Sequence, residues 1–77
     1  MKLLVLIRHA KSSWDDPQVD DHDRPLNQRG LRNAPEMGKR IRDCGVSLDA
    51  LISSTAMRAR TTAEIIAGSI DWPIKRI

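Results

Sequence analysis

The spacing of hydrophobic positions changes along the chain, and each change marks an element. Leu3, Leu4, Val5, Leu6 and Ile7 are consecutive aliphatics with no polar face. This predicts a parallel strand buried on both sides, because a half-exposed strand would alternate. From Asn27 the pattern becomes helical: Leu31, Ala34, Met37 and Ile41 recur at three and four as an apolar stripe to about Asp43. Asn27 is the expected N-cap, Gly45 closes the helix, and Pro35 inside it is expected to kink it. Ala50-Leu51-Ile52-Ser53 reads as a second buried strand, and Ser54 and Thr55 as the capping groups of a second helix. Its inward stripe is Ala59, Ala63, Ile66 and Ile70, until Gly68 and Pro73 end the pattern, and Ile74 to Ile77 begin a third strand. Strands alternating with helices at this spacing predict an α/β layered fold with a parallel sheet.

The first strand ends in Arg8-His9-Ala10-Lys11, and the loop from Ala10 to Leu26 that follows is long and polar. In open α/β sheets the ligand crevice lies beyond the carboxyl ends of central strands, so Arg8 and His9 fall where chemistry is expected and the loop reads as a lid or binding loop. A neutral imidazole is a nucleophile, and an adjacent guanidinium can hold a phosphoryl group by charge-assisted hydrogen bonds while the ring attacks phosphorus. A lone histidine at a strand end is more often a solvated loop residue than a catalyst. A second signal comes from Ser53-Ser54-Thr55-Ala56-Met57-Arg58. It again follows a predicted strand and places hydroxyls and an arginine at a helix N-terminus, where free N–H groups and the helix dipole favour an anion.

Composition narrows the setting. Seventy-seven residues fit one small domain or a piece of a larger one, and the net charge of +3 is compatible with anionic partners. With two Trp and neither Phe nor Tyr, the core must come from aliphatics and alanine. The single cysteine, Cys44, excludes an intrachain disulfide and is expected to be inert packing at a helix end. The N-terminal apolar run is too short for a membrane span, and the expected compartment is the cytoplasm. Arg29, Arg32, Lys39, Arg40 and Arg42 make one helix face basic, but no aromatics interleave with them, so a solvated face is expected and no nucleic-acid surface. Asp20, Asp21, His22 and Asp23 lack the spacing of a known metal site, and neither a metal nor a cofactor is expected.

Three stretches together resemble the histidine phosphatase superfamily, with its phosphoglycerate mutase-like fold: Arg8-His9-Ala10-Lys11-Ser12-Ser13-Trp14, Asp23-Arg24-Pro25-Leu26-Asn27 with Gly30, and Ser53-Ser54 with Ala56, Arg58, Ala59, Thr62, Ala63 and Glu64. The nearest branch resembles the SixA-type phosphohistidine phosphatases. The resemblance implies a three-layer α/β/α domain whose six-stranded sheet runs 3-2-4-1-5-6, of which residues 1–77 would be the amino-terminal part. It implies that His9 is phosphorylated during turnover and that Arg8 and Arg58 bind phosphate. A second histidine of the pocket would lie beyond Ile77, so the isolated 77-residue chain is expected to be inactive. Lys11 and Arg24 are candidate substrate contacts, equally readable as solvated loop cations.

Ala10 and Lys11 depart from the glycine and acidic or amide residues common in mutase-like members. That favours phosphohistidine over a sugar phosphate, since imidazole is expelled more easily than an alkoxide. The implied function is removal of phosphate from a phosphorylated histidine on a protein of the phosphotransfer or histidine kinase type, in signal transduction. Its rivals are a phosphatase acting on a small phosphoester and a catalytically silent phosphate-binding module.

Overall fold

The computed structural model describes residues 4–77, and two packed helices form its body. Helix α1 spans Gln28–Asp43 and helix α2 spans Met57–Ser69, with short 3-10 turns at Asp21–Asp23 and Ile74–Arg76. Asn27 is extended and its Oδ1 accepts the Gly30 N–H at 2.8 Å, capping α1 as its sequence position predicts. Arg40 and Arg42 sit in the last turn, where cations oppose the negative end of the helix dipole. The helix runs on through Pro35, and the chain leaves it through Gly45 in the left-handed region at φ 70°.

Small residues make the face that α1 turns inward. Gly30, Ala34 and Gly38 are buried, whereas Leu31 and Met37, both expected on the stripe, are about half exposed. The reason is close approach: a Cβ on Gly38 would lie 2.7 Å from Ser69 Cβ and 3.5 Å from Ile66 Cα, so only glycine lets α2 come this near. Thr62, Ala63, Ile66 and Ala67 are the buried face of α2. With Leu26, Ala34 and Ala56 they form a core built mostly of alanines.

Two expectations for the ends of α2 are corrected. The helix starts after Ala56 with no side-chain cap, so Ser54 Oγ reaches only the Ala56 N–H, at 3.1 Å, and Thr55 turns instead to His22. Gly68 lies within the helix. The stop comes at Asp71, which takes the left-handed conformation at φ 57° while the Trp72 N–H bonds the Ala67 carbonyl at 2.8 Å, the hydrogen bond of a Schellman ending.

No strand forms among the described residues, so the parallel sheet is not present there. Of the first predicted strand, Leu3 lies outside the described residues. Leu4 to Ile7 are irregular, and their exposure alternates, with Leu4 and Leu6 more than four-fifths exposed and Val5 and Ile7 less so. That is the period of an extended chain laid with one side toward the helices. It lacks the flanking backbone groups that would make it a strand, which an apolar run cannot supply for itself. Residues 50–53 are likewise unpaired, with Ile52 89% exposed. Ile74 to Ile77 curl into a 3-10 turn after Pro73, whose ring sets φ at −64°. Cys44 is also corrected: as the C-cap of α1 it is exposed and not packed.

Candidate functional site

The loop between Ala10 and Leu26 is closed on itself. Ser12 and Leu26 form an antiparallel bridge, the Ser13 N–H bonds the Pro25 carbonyl at 2.8 Å, and the Asn27 N–H bonds the Lys11 carbonyl at 2.9 Å. These bonds fasten the residues after His9 to the start of α1. Gly30 packs directly on the Lys11 peptide, leaving no room for a side chain.

Inside this closure sits Arg24, only 9% exposed. One terminal nitrogen donates to Ser12 Oγ and the other to Asp21 Oδ1 at 3.2 Å, while the guanidinium stacks 3.6 Å from the centre of the Trp14 ring. Arg24 is therefore not the solvated loop cation that its surroundings in sequence allow. It is the buried hub that ties three parts of the loop together.

His9 is half-buried and lines a cavity of about 540 Å³ together with Arg8, Lys11, Arg24 and Arg29, and with Ser12, Trp14 and Asn33. On its other side lies a smaller apolar cavity of about 190 Å³ between Ile7, Ala34, Met37 and Ile66. Nδ1 of His9 is 2.8 Å from the Ala10 carbonyl oxygen. A carbonyl only accepts, so Nδ1 carries the proton, and in the neutral ring the lone pair is on Nε2. The residue that accepts this bond is itself anchored through its other peptide: the Ala10 N–H donates to Thr62 Oγ1 at 3.1 Å, and Thr62 donates to the Arg58 carbonyl at 2.8 Å. The buried Thr62 hydroxyl thus fixes the histidine segment to α2.

Arg58 does not line the cavity that holds Arg8 and His9. Its guanidinium donates to the Asp21 carbonyl oxygen at 2.5 Å and to Asp21 Oδ2 at 3.0 Å. A second bond beside it, His22 Nε2 to Thr55 Oγ1 at 2.8 Å, completes the docking of the 3-10 turn on the start of α2. Hydrogen bonds from Arg24, then from Arg58, hold the Asp21 carboxyl below its ordinary value of 3.8. A depressed carboxyl stabilises the folded state above its unfolded pKa and loses that contribution as pH falls through the folded value. The ion pair between the Asp21 carboxylate and Arg58 is therefore expected to weaken only below pH 3.8, while the bond from Arg58 to the Asp21 backbone carbonyl does not titrate. Side-chain NMR of Arg58 checks this, and signals that move at neutral pH instead would contradict it.

Of the residues singled out in the sequence, Arg8, His9, Lys11 and Arg24 meet at one cavity, and Arg58 is tied nearby through Asp21 and Thr62. Asp21, Thr62, Trp14, Arg29 and Asn33 were not singled out as site residues. Thr62 carried a weak signal, a hydroxyl four residues after Arg58 and so on the same helix face. Of the partners of Arg24, Ser12 and Trp14 stand in the first of the three stretches that carry the resemblance, and Asp21 stands in none. Among the described residues no three His, Cys, Asp or Glu side chains converge as metal ligands would.

This geometry coincides with likeness to known proteins. A family model described as histidine phosphatase superfamily (branch 1) matches residues 4–77, and the chain belongs to that superfamily. An uncharacterized Mycobacterium tuberculosis protein is 48% identical over 69 residues, 90% of this chain and 42% of that protein. The mitochondrial serine/threonine-protein phosphatase Pgam5 of Drosophila willistoni is 38% identical over 69 residues, 90% of this chain and 23% of its own length. Among solved structures, SixA from Agrobacterium tumefaciens superposes with a TM-score of 0.78 at 34% identity, over 84% of this chain and 42% of that one. The fold is thus similar to that of SixA, a phosphoglycerate mutase-like protein. The chain spans less than half the length of each of these proteins.

Proposed function

We propose that the full-length protein is a phosphatase that removes phosphate from a phosphorylated histidine of a partner protein through a phospho-His9 intermediate. The observation that carries this is the Nδ1–H bond to Ala10, which leaves Nε2 of His9 as a lone-pair donor beside a cavity lined by cations. Nε2 would attack phosphorus, the P–N bond of the substrate would break, and its electron pair would return to the departing imidazole. Water would then attack phospho-His9, releasing inorganic phosphate and restoring the free ring. Arg8, at the same cavity, would balance charge on the transferring group. Arg58 is proposed as the second phosphate ligand, and to serve it must share its guanidinium with Asp21 or leave it.

The proposed frame is the α/β sheet of the superfamily, with residues 4–7 and 50–53 as strands and a second histidine supplied from beyond Ile77. The single cysteine favours a cytoplasmic protein, and the substrate class favours a phosphotransfer or histidine kinase type of partner. A second reading, hydrolysis of a phosphoester, is favoured by the likeness to Pgam5, whose name is that of a serine/threonine-protein phosphatase.

Rapid acid-free quenching during turnover is expected to trap phosphate on His9 that is acid-labile and base-stable. Turnover without such an adduct would remove the mechanism. Faster release of phosphate from a phosphoserine protein than from a phosphohistidine protein would favour the second reading.

A further inference from the structure

The cavity beside His9 holds more positive charge than one phosphoryl group needs. Four cations line it and no carboxylate does. Asp21 answers Arg24 from outside the cavity, but Arg8, Lys11 and Arg29 enter no ion pair among the described residues. Arg8 is engaged by the proposed reaction, which leaves Lys11 and Arg29.

Their proximity is built in. The Asn27 N–H holds the Lys11 carbonyl at 2.9 Å and Gly30 packs on the same peptide, so the first turn of α1 brings Arg29 to the cavity that Lys11 lines. Like charges held at one cavity repel, and an anion between them relieves that cost. Behind them Arg24 is nine-tenths buried in the cavity wall, and its Nε–H has no acceptor among the described residues. Trp14 also lines the cavity, 73% exposed although stacked on Arg24, an aromatic of the kind that anchors protein partners. A cavity with one aromatic among its lining residues suits a short acidic peptide better than a nucleic acid, which is tracked by successive stacking aromatics along a basic groove.

We propose that Lys11 and Arg29, backed by Arg24, form a second anion subsite next to His9, which takes an acidic side chain flanking the phosphorylated residue of a protein substrate. This rests on the phosphatase reading for the placement of the phosphoryl group, but it makes a separate claim about what lies beside that group.

The test uses the full-length protein and two peptides bearing a non-hydrolysable phosphonate analogue of phosphohistidine, one flanked by Glu and its twin by Gln. Calorimetry is expected to show the Glu peptide bound about tenfold more tightly, with the preference shrinking as salt rises. Arg29→Gln is expected to bring the ratio near one, whereas Lys39→Gln, which removes an exposed charge elsewhere on α1, is expected to keep it. Equal affinities in the parent protein overturn the subsite, and so does a ratio that Lys39→Gln lowers as much as Arg29→Gln, since net charge alone would then be responsible. If inorganic pyrophosphate matches the Glu peptide, the second anion is a phosphate and the peptide assignment fails. A preference that survives while phosphohistidine is not hydrolysed would sink the phosphatase reading and leave the subsite standing. Hydrolysis without preference would do the reverse.

Discussion

Replacing His9 by Asn in the full-length protein is expected to lower turnover by about 10³-fold or more while phosphate still binds, because the change removes the nucleophile and little else. The asparagine amide can donate to the Ala10 carbonyl as the histidine Nδ1–H does, and the bond from the Ala10 N–H to Thr62 Oγ1 does not involve the side chain at position 9. Arg8, Lys11, Arg24 and Arg29 remain around the cavity, so its attraction for an anion is unchanged. The loss should therefore fall on kcat, with inhibition by inorganic phosphate altered little. Steady-state kinetics with a phosphohistidine protein distinguish this from unfolding, which would remove both. Retained turnover would mean that His9 only lines the pocket and that another group accepts the phosphoryl.

The helices were legible because their signals are local. Asn27 capping, the three-and-four spacing through Ala34 and the left-handed Gly45 all depend on residues within a turn or two of one another. The strands were not legible in the same way. The apolar run ending at Ile7 announces burial, but pairing belongs to whatever lies alongside, and the described residues offer 4–7 no such neighbour. The exposure of residues 4–7 shows what the sequence could not, that Val5 and Ile7 are less exposed than Leu4 and Leu6 and that Ile7 faces the cavity lined by Ala34 and Ile66. The stripe on α1 was misjudged for a related reason. Hydropathy ranks Leu31 and Met37 above glycine, yet close approach of α2 buries Gly38 and leaves those larger side chains half exposed.

The site divides along the same line. Arg8, His9 and Lys11 are contiguous, so their meeting at one cavity follows from chain connectivity. Arg24 is different. Its burial depends on Ser12, Trp14 and Asp21, which surround it in space but are spread along the loop, and no spacing rule marks such a hub. Arg58 was placed on α2 from the sequence, but its grip on Asp21 is a contact between residues 37 positions apart. Asp21 had looked like one member of an acidic loop cluster.

Gly30→Ala is expected to damage both stability and turnover, whereas Gly68→Ala on the other helix is expected to stabilise. Both positions are helical glycines, so a scale of helix propensity assigns each substitution a gain of about 1 kcal/mol. Their surroundings separate them. A Cβ on Gly68 meets nothing within 4 Å, so the propensity gain stands. A Cβ on Gly30 would overlap the Lys11 carbonyl oxygen and lie 3.0 Å from the Lys11 nitrogen, and these are backbone atoms that cannot rotate away. Overfilling a packed contact costs about 1 to 3 kcal/mol, which outweighs the propensity gain over most of that range. Relief requires α1 and the Lys11 peptide to separate, and the bond from the Asn27 N–H to the Lys11 carbonyl would lengthen as they do. Because His9 lies two residues before Lys11, that shift reaches the proposed nucleophile. A displacement of ~1 Å at a reacting group can cost about 10²-fold in rate. Thermal unfolding and kinetics of the two full-length variants check the pair. A Gly30→Ala protein that melts no lower than its parent would show that α1 and the loop after His9 are not in the contact that sets the site.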